Sequence, residues 1–175
     1  MQLAVRRIRL PDDVEAVLAI DTSFATSEVY RVVAAESGFT LELRSVPALV
    51  KTLPVGAWEA EELWDSAWVA EVDGVVRGFA ATSHEAWHRR LTIRHFYVDA
   101  AVRRLGIGRL LLETALSHGY GQGALSAWLE VTSANVPAID AYQRFGFRLC
   151  GLDQSLYLHT SAAGETALFM ARPVD

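Results

Sequence analysis

The 175-residue sequence contains a single cysteine, Cys150, and a single lysine, Lys51. One cysteine excludes an intramolecular disulfide framework and any multi-cysteine zinc or iron–sulfur centre, and it fits a reducing cytoplasm. Every other basic residue is an arginine, so the Gly-Lys-Ser/Thr phosphate loop of nucleotide hydrolases is missing. No segment reaches the ~18 uninterrupted apolar residues of a membrane span, and Met1 to Arg7 holds no signal-peptide core. These lacks predict a soluble, unprocessed, cytoplasmic protein. A positive surplus is also wanting: acidic residues outnumber basic ones, 21 to 16, for a net charge of −5. Broad capture of nucleic acid or of an anionic membrane is thereby disfavoured, and any anion needs a local basic patch. What is present is a chain 51% apolar and 21% charged, the make-up of a globular protein with a real core.

Periodicity divides the chain into short elements. Val5, Ile8 and Leu10 predict an opening strand stopped by Pro11, and Pro11, Asp12 and Asp13 start a helix with Val14, Val17, Leu18 and Ile20 as its apolar face. Runs from Val29 to Val33 and from Phe39 to Val46, split by Ser37-Gly38, read as a hairpin. Pro47 to Ser66, interrupted by Pro47, Pro54 and Gly56 ahead of Glu59, Glu61, Glu62 and Asp65, reads as a mobile, variable stretch. Asp73-Gly74 marks a tight hairpin between Ala67 to Val72 and Val75 to Thr82. A strand from Leu91 to Val98 precedes a helix from Gly106 to His118 with Ile107, Leu110, Leu111 and Ala115 inward, ended by Gly119, Gly121 and Gly123. Leu125, Leu129 and Val131 define one face of the next strand, with Trp128, Glu130 and Thr132 on the other. A helix from Pro137 to Phe145 closes at Gly146, and strands from Phe147 and from Glu165 to Ala171 complete one α/β (α+β) domain around a central sheet.

Three motifs compete for the chemistry. His84-Glu85-Ala86-Trp87-His88 is a literal His-Glu-x-x-His, which binds zinc only when a helix brings both imidazoles to one face. Here it follows a strand pattern, so a polar loop is the plainer reading and no metal is expected. Gly106-x-Gly108 raises a dinucleotide fold, but the third glycine of that fingerprint is Leu111. The third reading uses the same turn: Arg103-Arg104-Leu105-Gly106-Ile107-Gly108, with Arg109, sets unpaired backbone N–H groups and a local basic patch where a pyrophosphate would dock. About 30 residues on, Asn135-Val136-Pro137-Ala138 opens a helix that places Ala138 and Tyr142 on one face. Tyr142 alone is equally a core aromatic or a proton donor.

Together the two segments resemble the GCN5-related N-acetyltransferases (GNAT superfamily): Arg-x-x-Gly-x-Gly from Arg103 to Gly108, then Asn-x-x-Ala-x-x-x-Tyr-x-x-x-Gly-Phe from Asn135 to Phe147. That resemblance implies a mixed, splayed sheet flanked by helices in one domain over residues 1–175, with acetyl-CoA entering between strands 91–98 and 125–132. The cofactor core would cover about 67–150, and the substrate side about 11–66 and 151–175. Asp21-x-Ser23-Phe24 with Arg31-Val32, Trp87-x-Arg89-Arg90-Leu91-Thr92, Cys150-Gly151-Leu152-Asp153-x-x-Leu156-Tyr157 and Gly164-Glu165-x-Ala167-Leu168 are similar to streptothricin acetyltransferases. The likeness makes Asp21, Phe24, Trp87, Arg94, His95, Asp153 and Tyr157 substrate-side residues.

The implied reaction is direct transfer of acetyl to a primary amine. Tyr142 would protonate the departing thiolate and Glu130, sharing its strand face with Trp128, would take the amine proton. The backbone from Arg103 to Arg109 would hold the pyrophosphate, Phe96, Tyr97 and Val98 the pantetheine amides, and Asn135 and Ala138 the pantetheine arm or the order of the site. One departure stands out: Arg94 and His95 occupy positions where streptothricin acetyltransferases carry an acidic pair. Strand alternation would turn the two to opposite faces. A different acceptor, such as a protein N-terminus or a polyamine, and a non-catalytic acetyl-CoA-binding module therefore stay open, and dimers are common in the family.

Overall fold

The Asp73-Gly74 pair folds as its composition demands. Both residues take positive φ, 50° and 79°, and they join β4 (Ser66–Val72) to β5 (Val75–Glu85) in a tight antiparallel hairpin. The computed structural model describes residues 1–55 and 64–174. Glu59, Glu61 and Glu62 of the acidic stretch lie outside the described residues.

Two compact units account for the chain. The first comprises Met1–Ser23, Thr52–Trp128 and Pro173–Asp175. In it β1 (Leu3–Arg7) pairs antiparallel with β4, and β5 with β6 (Arg90–Val98), while β6 adjoins the start of β7 (Ser126–Thr132). A 15-residue helix, α2 (Ile107–Gly121), carries the chain from β6 to β7. Both faces of this sheet are covered. Val17 of α1 (Val14–Leu18) packs with Val69, Phe79 and Ala81 on one side, and Ile107, Leu111 and Ala115 of α2 pack with Trp68, Ala70 and Ala80 on the other.

Three apolar residues expected inside are outside: Leu18 is 50% exposed, Leu110 37% and Leu125 53%. In five-residue α1 the inward stripe ends at Val17, and Ile20 is buried beyond the helix. In α2 the stripe is Ile107, Leu111, Leu112, Ala115, Leu116 and Gly119, which turns Leu110 away from the sheet. Leu125 precedes β7 rather than starting it. Gly119 does not end α2 either; the helix runs on to Gly121. Gly119 is a packing position, because a Cβ there would lie 2.7 Å from Leu91 Cδ2. The turn out of the helix falls at Gly123, φ 92°, whose N–H donates to the Tyr120 carbonyl at 2.8 Å.

The second unit comprises Phe24–Lys51 and Leu129–Arg172. Its strands are the C-terminal part of β7 with β9 (Ala167–Pro173) and β8 (Arg148–Asp153), in that order, and a separate hairpin of β2 (Phe24–Ala35) and β3 (Gly38–Lys51). The hairpin is longer than predicted because Pro47 does not break it. Thr26 faces Leu49 whereas Glu28 faces Ser45, so Pro47 sits in an irregularity of the ladder, where a missing N–H is tolerated. Helix α3 (Val136–Arg144) starts on Asn135, whose side chain accepts the Ala138 N–H at 3.2 Å, and stops at Gly146, φ 87°. No helix among the described residues is long and apolar enough to cross a membrane.

Candidate active site

In the first unit, the turn between β6 and α2 is tied down by Arg103. Its Nε donates to the Val98 carbonyl at 2.9 Å, and its Nη atoms donate to the carbonyls of Ser23 at 2.5 Å and Asp21 at 3.3 Å. Arg103 is therefore engaged with backbone, and burial lowers its pKa without removing its charge. Arg104 and Gly106 both take positive φ, 66° and 86°, which aims the chain into α2 with Gly106 as an N-cap that offers no side chain. The first-turn N–H groups of an α-helix have no intrahelical acceptor and carry the positive end of its dipole. A diphosphate fits such a cradle. Leu105 is exposed, and Arg109 pairs only loosely with Glu113, 3.8 Å away across one helical turn. Of the two glycines, backbone conformation requires only Gly106. At Gly108 a Cβ would meet Val98 Cγ2 at 3.5 Å and the Phe96 ring at 3.9 Å, which is ordinary contact. Phe96 and Val98 pack on the α2 side of β6, and Tyr97 packs on the Val17 side.

Arg94 and His95 do not face opposite ways. His95 is opposite Ala81 while Ile93 is opposite Thr82, so Arg94 is the extra residue of a β-bulge, which breaks the alternation. Arg94 Nε donates to Ser83 Oγ at 2.8 Å, and His95 lies with Phe79 and Tyr97 at ring-centroid distances of 6.1 and 5.9 Å. Phe79, Ala81 and Ser83 occupy alternate positions of β5, hence one face, and both residues join it. Burial and the neighbouring Arg94 charge hold the His95 pKa below its ordinary value, so the imidazole is neutral near pH 7.

The His-Glu-x-x-His segment is the tip of the same hairpin. His84 and Glu85 end β5, and residues 86–88 form a single 3-10 turn, so no α-helix aligns the two imidazoles. Glu85 is committed instead to Thr92 Oγ1 at 2.5 Å, Arg90 at 3.3 Å and Arg94 at 3.4 Å, and the Thr92 hydrogen bond, with help from both arginines, lowers its pKa. Trp87 is 85% exposed and stacks on His88 with ring centroids 3.9 Å apart. Asp65, the described member of the acidic stretch, accepts the His84 N–H at 2.7 Å. Asp21 Oδ1 accepts the Ser23 N–H at 2.9 Å, and its pKa is lowered first by the Ser23 side chain and then by this backbone contact.

In the second unit, the face of β7 that bears Glu130 and Thr132 carries the titratable cluster. Glu130 accepts a hydrogen bond from the Tyr157 hydroxyl. Desolvation raises the Glu130 pKa and outweighs that bond, which by itself would lower it. Tyr157 is pushed up as well, by desolvation first and then by Glu130 and Glu165. Two residues along, Thr132 donates to Glu165, whose other oxygen accepts from Lys51. Lys51 and Glu165 join this cluster, and sequence reasoning passed over both. Gly164-Glu165 stands in one of the matched motifs, but nothing local ties it to Lys51, 114 residues away. Tyr142 is 9% exposed on α3 and meets Phe147 edge-on at 5.8 Å. Asn135 is buried as the α3 cap, Ala138 is half-buried beside it, and Phe24 is 6% exposed at the start of β2. Asp153 Oδ1 accepts from the Ser155 N–H and hydroxyl, both at 2.6 Å, which shapes the turn leading to Tyr157.

A family model for the acetyltransferase (GNAT) family matches residues 37–147. The chain is 44% identical to a streptothricin acetyltransferase of Streptomyces lavendulae over 173 residues, 93% of this chain and 91% of that protein. It superposes on the crystal structure of a nourseothricin acetyltransferase with a TM-score of 0.91 at 41% identity, covering all of both chains. A Bacillus anthracis structure with acetyl coenzyme A bound shares the fold, with a TM-score of 0.82 at 21% identity, over 98% of this chain and 99% of that one. The chain belongs to the acetyltransferase (GNAT) family and is an acetyl-CoA-dependent N-acetyltransferase.

Proposed function

We propose that the acceptor is a small cationic molecule presenting a primary alkyl amine, as streptothricin does on its β-lysine arm, and that the chain confers resistance by acetylating it. The observation that carries this reading is Glu130, a carboxylate of raised proton affinity on the β7 face, held by Tyr157. The 44% identity to a streptothricin acetyltransferase supports the choice of acceptor. An alkyl ammonium of pKa about 10.4 is only about one part in two thousand neutral at pH 7, so supplying the free amine costs about 4–5 kcal/mol. Glu130 takes that proton, directly or through an ordered water. Tyr142 protonates the departing thiolate, a fair leaving group already at a pKa near ~8.5.

The N–H groups of 104–109 hold the pyrophosphate, with Arg103 fixing the turn and Arg104 and Arg109 adding charge. Phe96, Tyr97 and Val98 take the pantetheine amides, and Asn135 and Ala138 keep the start of α3 in shape for the pantetheine arm. Asp21, Phe24, Trp87, Arg94, His95, Asp153 and Tyr157 make up the acceptor side in this reading. One domain over 1–175, with a cofactor core of about 67–150, a cytoplasmic location where acetyl-CoA is available, and a homodimer complete it. Thiol release measured with streptothricin F, N-terminal peptides and polyamines tests the acceptor. A kcat/KM for streptothricin at least 100-fold above the other two supports the reading, and a higher value for a peptide or polyamine overturns it.

A further inference from the structure

Two carboxylates share the β7–β9 region and are treated differently. Glu130 has a neutral donor, the Tyr157 hydroxyl. Glu165 has Thr132 on one oxygen and the ammonium of Lys51, the chain's single lysine, on the other. Thr132 and Glu130 lie two residues apart on one strand, so their side chains share a face about 7 Å apart. Tyr157 lies within electrostatic reach of both carboxylates. Lys51 and Glu165 are half-buried, which limits screening by salt. The titratable groups brought to Glu130 within this unit are thus Tyr157 directly, and Glu165 with Lys51 beyond Thr132.

From this arrangement we infer that Lys51 is a positioning residue for catalysis: by neutralising and fixing Glu165, it keeps a second negative charge from acting on Glu130. The inference rests on Glu130 as the base only for its consequence in turnover; the charge coupling stands on the contacts themselves. With Lys51 in place, Glu130 is the one uncompensated carboxylate of the cluster, free to ionise near neutral pH and to meet an ammonium. Without it, Glu165 becomes an unpaired like charge that favours the protonated, inactive form of Glu130. Lys51 reaches Glu165 from the last residue of β3, so the long β2–β3 hairpin, which Pro47 does not interrupt, delivers the counter-charge.

The test is a charge cycle on the full chain, read by carbon-13 NMR titration of the glutamate carboxyls, with Glu130→Gln assigning the Glu130 signal. A unit charge at roughly 10 Å in a partly desolvated setting moves a pKa by about 0.5–1 unit. Lys51→Met is expected to raise the Glu130 pKa by that amount, and Glu165→Gln, which leaves Lys51 unpaired, to lower it. The double variant returns it to within about 0.3 unit, and Lys51→Arg leaves it in place. The acid limb of the kcat–pH profile follows the same signs. Mere loosening of the fold moves both single variants in one direction, and that result, or no movement in any variant, overturns the inference. Thermal melts confirm that each variant is folded, and Lys51→Arg with Glu165→Gln still decides the sign if Lys51→Met unfolds. Full kcat in Glu130→Gln refutes the base assignment alone, since the NMR titration reads the coupling without turnover.

Discussion

Replacing Gly106 by valine separates the two jobs of the β6–α2 turn. Gly106 has φ 86° and nothing within 4 Å of where a Cβ would stand, so the substitution meets no atom and its whole effect is conformational. An L-residue in the left-handed region is disfavoured by about 1–2 kcal/mol, and β-branching adds to that. In the free protein the exposed turn relaxes, which caps the loss of stability at about that figure, less than ~8 °C in Tm for a chain of this size. Binding of the pyrophosphate needs the original turn, because only there do the first N–H groups of α2 converge. The strain relieved in the free state must then be restored on binding, so the Kd for acetyl-CoA rises by up to about 5- to 30-fold. Isothermal titration calorimetry with acetyl-CoA, beside a thermal melt, measures both quantities. A Kd within twofold of the parent, with a folded protein, refutes the placement of the diphosphate at this turn. Gly108→Ala is the contrast: its Cβ meets only ordinary contacts and the residue is already helical, so the fold is retained.

Tyr142→Phe should lower kcat by about 10- to 100-fold with little change in KM, the loss expected when a general acid for a fair leaving group is removed. An unchanged kcat would leave Tyr142 as a core aromatic packed on Phe147. Because desolvation raises the Glu130 pKa, the acid limb of kcat should lie above the ordinary 4.5, and Tyr157→Phe, which deletes the bond that lowers it, should move the limb higher still. A limb at or below 4.5 would exclude Glu130 as the titrating base. Asp13 is held below its ordinary 3.8, first by the Arg6 hydrogen bonds at 2.7 and 2.8 Å. Its contribution is fully present above the unfolded value and lost as pH falls through the lower folded one. Urea melts should therefore show a stability loss below about pH 4 that Asp13→Asn abolishes. Gly119→Ala forces a methyl to within 2.7 Å of Leu91 Cδ2 and should destabilise by about 1–3 kcal/mol while leaving the acetyl-CoA Kd unchanged.

Much of this molecule is legible where short-range chemistry decides it. Asp73-Gly74 can make a hairpin because both positions tolerate positive φ, and Asn135 with Gly146 can bound a helix because one caps and the other turns left-handed. The register of α2 was less legible. Leu110, Leu111 and Leu112 are equally apolar in composition, and only the sheet face they meet tells which one turns outward. Pro47 and Arg94 mislead for a related reason. A ladder irregularity admits a proline that a regular strand would reject, and a bulge shifts the alternation by one residue, and neither leaves a mark in the hydrophobic pattern. The Lys51–Glu165 pair is beyond any local reading, since its partners are brought together only when β3 and β9 have found their places.

The bulge also changes what Arg94 and His95 mean for a cationic acceptor. Read as a plain strand, they replace two acids by two bases and repel a polycation. In the folded hairpin Arg94 is bound by Ser83 and Glu85, His95 is neutral against Phe79 and Tyr97, and Glu85 offsets part of the charge of Arg90 and Arg94. What opposes a cation there is about one net positive charge on a half-exposed surface, which water and salt screen within a Debye length of roughly 8 Å. In the proposed reading the negative charge that attracts one is Glu130 on β7, which among the described residues pairs with no cation, whereas Glu165 has Lys51. Acceptor choice by charge should therefore respond more to Glu130 and Lys51 than to Arg94. Arg94→Glu should change KM for streptothricin by less than about fivefold at 0.15 M salt, with a larger effect at low salt. A drop of 50-fold or more at 0.15 M would show that Arg94 is the repelling charge and that β7 does not govern recognition.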